Sequence, residues 1–130
     1  GQSKGEYNPI FYDANKFTVN ESGTFWLSET PDTVSKGWDA ALNRICTYVL
    51  LHHRSYDLDI WVFNTHFDHV GEEARIQSAD LITQKIDSLN MNRNLPVILM
   101  GDFNTTDYNE GYSPFMNARL EDARLMSRQQ

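Results

Sequence analysis

The sequence predicts a mixed α/β layered domain, and three patterns carry that expectation. Arg44 to Leu51 is a nearly continuous run of apolar and β-favouring residues, and Asp59 to Thr65 repeats that character after the turn-prone stretch His52 to Asp57. Glu72 to Asn90 sets Ile76, Ala79, Ile82, Ile86 and Leu89 at three- and four-residue steps, which is one apolar stripe on a helix. Pro96 to Met100 is a short apolar run ending at Gly101, and Ser113-Pro114 reads as an N-cap followed by proline at the first helical position. Strands, helix, strand, helix is the order of a layered α/β unit.

Taken in order, Ile10-Phe11-Tyr12 and Lys16-Phe17-Thr18-Val19 predict short strands joined by a turn at Asp13-Ala14-Asn15. Glu21-Ser22-Gly23 predicts a second turn, leading into Thr24-Phe25-Trp26-Leu27. Glu29 to Asp39, with Pro31 and Gly37, is expected to be a loop. Arg44 to Leu51 and Asp59 to Thr65 then form a hairpin, with His52 and His53 solvated in its turn. Glu72 and Glu73 open the helix, where carboxylates suit the dipole. Pro96 to Met100 is expected as a central strand.

A length of 130 residues suits one domain with a core, and 40% hydrophobic residues exclude a disordered chain. No apolar run approaches the roughly 20 residues that span a bilayer. The segment Gly1-Gln2-Ser3-Lys4-Gly5 has neither a signal-peptide pattern nor an initiator Met, so the native start is expected elsewhere. The lone Cys46 excludes an internal disulfide and reads as a small buried hydrophobe, which leaves the compartment open. A net charge of −7 opposes electrostatic capture of long nucleic acid. It does not oppose a phosphate substrate, because an acidic pocket can hold a divalent cation that attracts phosphate.

Chemistry concentrates at two strand ends. In Ile60-Trp61-Val62-Phe63-Asn64-Thr65-His66, alternation puts Asn64 and His66 on the face of Ile60 and Val62. In Gly101-Asp102-Phe103-Asn104, Asp102 and Asn104 share a face, with Phe103 on the other. An acid and an amide two residues apart, at the mouth of an apolar strand, can orient a water and a phosphate oxygen together. The competing interpretation is a strand-end turn, since Gly-Asp and Asn-Thr are common turn residues.

Phe63-Asn64-Thr65-His66, followed one helix later by Gly101-Asp102-Phe103-Asn104, resembles the paired motif of the endonuclease/exonuclease/phosphatase, or DNase I-like, superfamily. Glu6-Tyr7-Asn8-Pro9-Ile10-Phe11-Tyr12, Gly23 to Pro31, Gly37-Trp38-Asp39 and Arg44-Ile45-Cys46-Thr47 extend the resemblance to a bacterial, largely uncharacterised branch. It covers essentially the whole chain. The implied fold is a four-layered α/β sandwich, two sheets face to face with helices outside, of which this chain would be the middle portion. The implied reaction is hydrolysis of a phosphate mono- or diester by direct attack of water, with Mg2+ or Mn2+ as Lewis acid. No Cys or Ser nucleophile motif competes with it.

The resemblance assigns roles only where residues match. Asp102 would orient or deprotonate water and help hold the metal, Asn104 would hydrogen-bond a phosphate oxygen, and His66 would stabilise developing charge. Asn64 would fix the strand end. Arg44 is a second phosphate contact on one reading, since its guanidinium can bond bidentately, and a buried partner of Asp39 or another acid on the other. The family's early Asn strand, its metal-ligating Glu and its closing Ser-Asp-His motif have no match here, so the chain alone is expected to be inactive. It is also expected to self-associate or to pair with the rest of its polypeptide.

Other residues carry weaker signals. His66, Asp68 and His69 hint at zinc, but no further His or Cys cluster supports three ligands. His69 reads as structural or pocket-lining, and Trp38-Asp39 as lining the cleft. The acidic balance favours a small or lipid-like phosphate over bulk nucleic acid. A non-catalytic binding module on the same fold is the alternative.

Overall fold

The structure, a computed structural model, describes residues 7–105, 112–118 and 120–127. The elements are β1 (Phe17–Trp26), β2 (Ile45–His53), β3 (Leu58–His66), α1 (Glu72–Asn90), β4 (Val97–Asp102), α2 (Ser113–Asn117) and α3 (Ala123–Ser127). The strands form one sheet in the order β1-β2-β3-β4. β1, β2 and β3 are joined antiparallel, whereas β4 lies parallel to β3. A parallel pair needs a long crossover, and the 19 residues of α1 provide it.

Alternation gives the sheet two faces, and α1 covers one. Phe25, Cys46, Leu50, Trp61 and Phe63 point to that side and form the main core with Ala79, Ile82 and Ile86 of the helix. Trp61 and Phe63 are fully buried, and each such side chain contributes about 1.5–3 kcal/mol of transfer free energy. The buried stripe of α1 includes Ala74, Ser78 and Thr83, while Ile76, expected in the stripe, is only half-buried. On the other face Val49, Leu51 and Val62 form a smaller cluster, with Ile10, Phe17 and Ile60 packed against it.

Three expectations are corrected. Residues 10–12 form no strand, and β1 runs unbroken through Glu21-Ser22-Gly23. The turn signal there marks a β-bulge: the register steps from Val19↔Leu51 to Glu21↔Leu50, leaving Asn20 as the extra residue. His52 is not in the turn but in β2, where its Nδ1 meets the Asp59 carboxylate at 2.7 Å. Among the described residues β4 ends the strand order, with Ile98 48% and Met100 39% exposed. The sheet described here is one sheet with its helices; strands of a second sheet are not among the described residues.

Long-range caps place the elements around the site. Gly71 precedes α1 and has no side chain to cap it. Asp39, from the distant loop, supplies the cap, accepting from the Ala74 N–H at 2.7 Å and the Glu73 N–H at 3.3 Å. After α1, the Asn90 amide accepts from the Leu95 N–H and donates to the Leu95 carbonyl, both at 2.9 Å, closing the loop into β4. Ser113 is the first residue of α2 instead of its cap, and the cap position falls to Tyr112. No helix among the described residues is long and apolar enough to cross a membrane.

Candidate active site

Parallel pairing brings the two motifs together. The β3–β4 register sets Asn64 opposite Met100, Thr65 opposite Gly101 and His66 opposite Asp102. His66 Nε2 stands 3.6 Å from Asp102 Oδ2, and both side chains reach solvent. The close approach depends on Gly101. Its φ of +146° belongs to glycine, and a Cβ there would run into the Thr65 carbonyl oxygen.

The chain then turns. Asp102 Oδ1 accepts from the Asn104 N–H at 3.0 Å, and Asn104 adopts the left-handed conformation at φ 46°, which Asn tolerates. The turn chemistry anticipated as an alternative is therefore present, and it leaves Asp102 Oδ2 toward His66. Asn104 Nδ2 donates to the Phe67 carbonyl at 2.7 Å, while the Phe67 N–H donates to the Asp102 carbonyl at 2.8 Å. Beneath this seam the Phe67, Phe103 and Phe115 rings pack at centroid distances of 5.1–5.9 Å. Phe103 faces away from the site, as alternation requires.

Asn64 lies one pleat below His66 and donates from Nδ2 to the Pro9 carbonyl at 2.8 Å. Asn8 Nδ2 donates to the Ile45 carbonyl at 2.9 Å. These two bonds pin the segment before β1 across the ends of β2 and β3.

Arg44 does not join this group. Of its two readings the buried pairing is observed, with Asp68 in place of Asp39: Nε lies 3.3 Å from Asp68 Oδ1, and Nη2 donates to His69 Nδ1 at 3.0 Å. The side chain is 4% exposed, so its guanidinium is committed inside the fold. Asp39 is occupied as the α1 cap, and the Trp38 N–H is bonded to the Glu29 carboxylate.

Asp68 is the residue that the motifs concealed. Its Oδ2 accepts from the N–H groups of Ala41, Val70 and Gly71 at 2.8–3.1 Å, and its Oδ1 from that of Leu42 at 3.2 Å and from Arg44. Burial alone would raise this carboxyl. The N–H groups of Ala41, Gly71, Val70 and Leu42 outweigh it and hold the group well below the usual carboxylate range. The available sequence signal was an Asp three residues before a Gly at a helix start, the pattern of a side chain bonding a following turn.

Among the described residues no group of three or more His, Cys, Asp or Glu side chains could hold a metal ion. For a hard divalent cation, Asp102 offers a solvent-facing carboxylate beside His66. Mg2+ commonly takes one or two carboxylates, with waters and substrate oxygens completing its shell. The residues present fit one position of such a shell.

No protein-family model matches the chain. An endonuclease/exonuclease/phosphatase protein from Bacteroides vulgatus is 44% identical, superposes with a TM-score of 0.83, and is matched over 90% of this chain and 44% of that one. A mannosyl-6-phosphatase of Bacteroides thetaiotaomicron is 44% identical with a TM-score of 0.80, over 82% of this chain and 40% of its own. An uncharacterised protein of Acanthamoeba polyphaga mimivirus is 37% identical over 101 residues, covering 75% of this chain and 37% of that protein. The chain thus spans about two-fifths of the length of these relatives.

Proposed function

Because the chain belongs to the endonuclease/exonuclease/phosphatase superfamily and its relatives share the DNase I-like sandwich, we propose that it carries part of a phosphate-ester hydrolysis site. The observation that supports this most is the placement of His66 against Asp102, with Asn104 tied to both strand ends. In this reading Asp102 orients the attacking water and accepts its proton as the new P–O bond forms, while the bond from phosphorus to the ester oxygen breaks and the departing alcohol takes up a proton from solvent. Asn104 Nδ2 carries two hydrogens; one goes to the Phe67 carbonyl and the second is offered to a phosphate oxygen. His66, when protonated, donates toward the phosphoryl group and offsets its growing charge. Asn64 holds the adjacent segment in place through Pro9.

Mg2+ or Mn2+ is proposed as the cofactor, with Asp102 as one ligand; when bound it would polarise a phosphoryl oxygen. The net charge of −7 favours a small or lipid-like phosphate over bulk nucleic acid. A sugar phosphate is the first substrate to assay, since one relative is a mannosyl-6-phosphatase. The 130-residue chain alone is expected to be inactive toward bis-p-nitrophenyl phosphate, because the described residues group no three His, Cys, Asp or Glu side chains that could hold a metal ion.

The test uses the chain extended to the length of its relatives. Asp102→Asn is expected to lower kcat by roughly two orders of magnitude or more, with melting temperature nearly unchanged. His66→Ala should reduce kcat more than it raises KM. Normal turnover by a folded Asp102→Asn protein would sink the assignment.

A further inference from the structure

We propose that Asp68 is a positioning residue for this site: held by Arg44 and by backbone N–H groups from two loops, it fixes the Phe67 backbone that sets Asn104 and the end of β4. The inference rests on the reading of Asp102 and Asn104 as the phosphate-facing pair.

Asp68 joins three pieces of chain. Its carboxylate gathers N–H groups from Ala41 and Leu42 in the loop before β2, and from Val70 and Gly71 ahead of α1. Arg44, at the entry to β2, adds a charged donor, and its second contact reaches His69. Arg75 of α1 donates to the Asp68 carbonyl at 3.0 Å. The residue is thus held through side chain and main chain alike.

What it holds is the peptide just before it. The Phe67 carbonyl, which accepts from Asn104, belongs to the same rigid plane as the Asp68 N–H. The Phe67 ring is packed between Phe103 and Phe115, which locates the residue but leaves rotation of that peptide plane open. Anchoring Asp68 removes that rotation. The carbonyl then faces Asn104, whose own N–H stays on Asp102, and the Phe67 N–H stays on the Asp102 carbonyl. A buried carboxylate with this many donors is more than a loop needs for closure. Asp39 caps α1 separately, so Asp68 is not required for that task.

The experiment reads Asn104 directly and needs no turnover. In the 15N-labelled protein, extended to the length of its relatives, the Asn104 side-chain amide is assigned by its loss in Asn104→Ser, and its proton exchange is measured well below the melting temperature. Asp68→Asn keeps the shape but replaces one acceptor oxygen by a donor, so Asn104 exchange should accelerate about five-fold, the weight of one hydrogen bond. Arg44→Lys, which leaves the backbone donors in place, should move it in the same direction by less. Ile82→Val, a core variant on α1, lowers stability without touching the seam and should leave Asn104 unchanged.

Exchange that stays at the parent rate in folded Asp68→Asn overturns the proposal. If that variant does not fold, an unchanged rate in Arg44→Lys overturns it. Acceleration equal to that in Ile82→Val at matched stability also overturns it, since Asp68 would then be structural only. Because exchange is read without catalysis, this failure leaves the hydrolysis assignment standing, and failure of that assignment leaves the exchange result intact.

Discussion

Gly101→Ala tests the contact on which the meeting of the two motifs depends. The new Cβ would strike the Thr65 carbonyl oxygen and stand 2.9 Å from its carbon and 3.1 Å from the Thr65 nitrogen. All three are backbone atoms of the paired strand, so no side chain can turn away to make room. The conformation adds a second cost, since φ of +146° is open to glycine and strained for alanine. Strain of this kind costs about 1–3 kcal/mol, and inserting a methyl into a packed contact costs about 1–3 kcal/mol. One movement of β4 away from β3 relieves part of each, so the expected loss is about 3 kcal/mol, in the lower half of the summed range. For a chain of this size that lowers Tm by roughly 10 °C. Thermal unfolding followed by circular dichroism gives the number. Relief by strand separation also pulls Asp102 from His66, so hydrolysis in the extended protein should fall with stability. A variant melting within about 3 °C of the parent, with unchanged turnover, would falsify the claim that glycine is needed for this approach.

Three further outcomes follow from the same geometry. The Asp68 carboxyl is depressed in the folded state, so its stabilisation is complete above the ordinary carboxylate range near pH 4 and is lost as pH falls toward the folded value; denaturant titrations of Asp68→Asn should therefore converge on the parent in strong acid, and a constant gap would refute the assignment. Burial pushes the Cys46 thiol up, so a thiol reagent should label it only on the timescale of unfolding, and rapid labelling of folded protein would show that β2 opens. Ile98, Met100 and Val19 are exposed on the face that α1 does not cover, so light scattering of the 130-residue chain should report self-association; a stable monomer over a wide concentration range would refute that expectation.

Local periodicity made much of this molecule legible in advance. The 3.6-residue pattern gave α1 with its ends, because a helix bonds within itself and its apolar stripe is written in nearby residues. Strand alternation put Asn64 with His66, and Asp102 apart from Phe103, for the same reason. The family resemblance of the two motifs followed from the order of those residues alone. Glu21-Ser22-Gly23 misled because a bulge and a turn use the same residue types.

Partners were another matter. A sequence pattern assigns a face but names no atom across the gap, and the decisive contacts here join residues 24 and 35 positions apart, Arg44 with Asp68 and Asp39 with Ala74. Arg44 could have faced phosphate or acid with equal chemical sense. Which one it meets depends on where the loop before β2 passes the turn after β3, and only the packed sheet brings those together. The place of β4 at the end of the described strand order was undetermined for a like reason: an apolar strand is central or peripheral according to what lies beside it, not according to its own residues. Gly101 marks the boundary between the two kinds of information. Its place at a strand end was plain in the sequence, but its need to be glycine arises from a carbonyl oxygen on another strand.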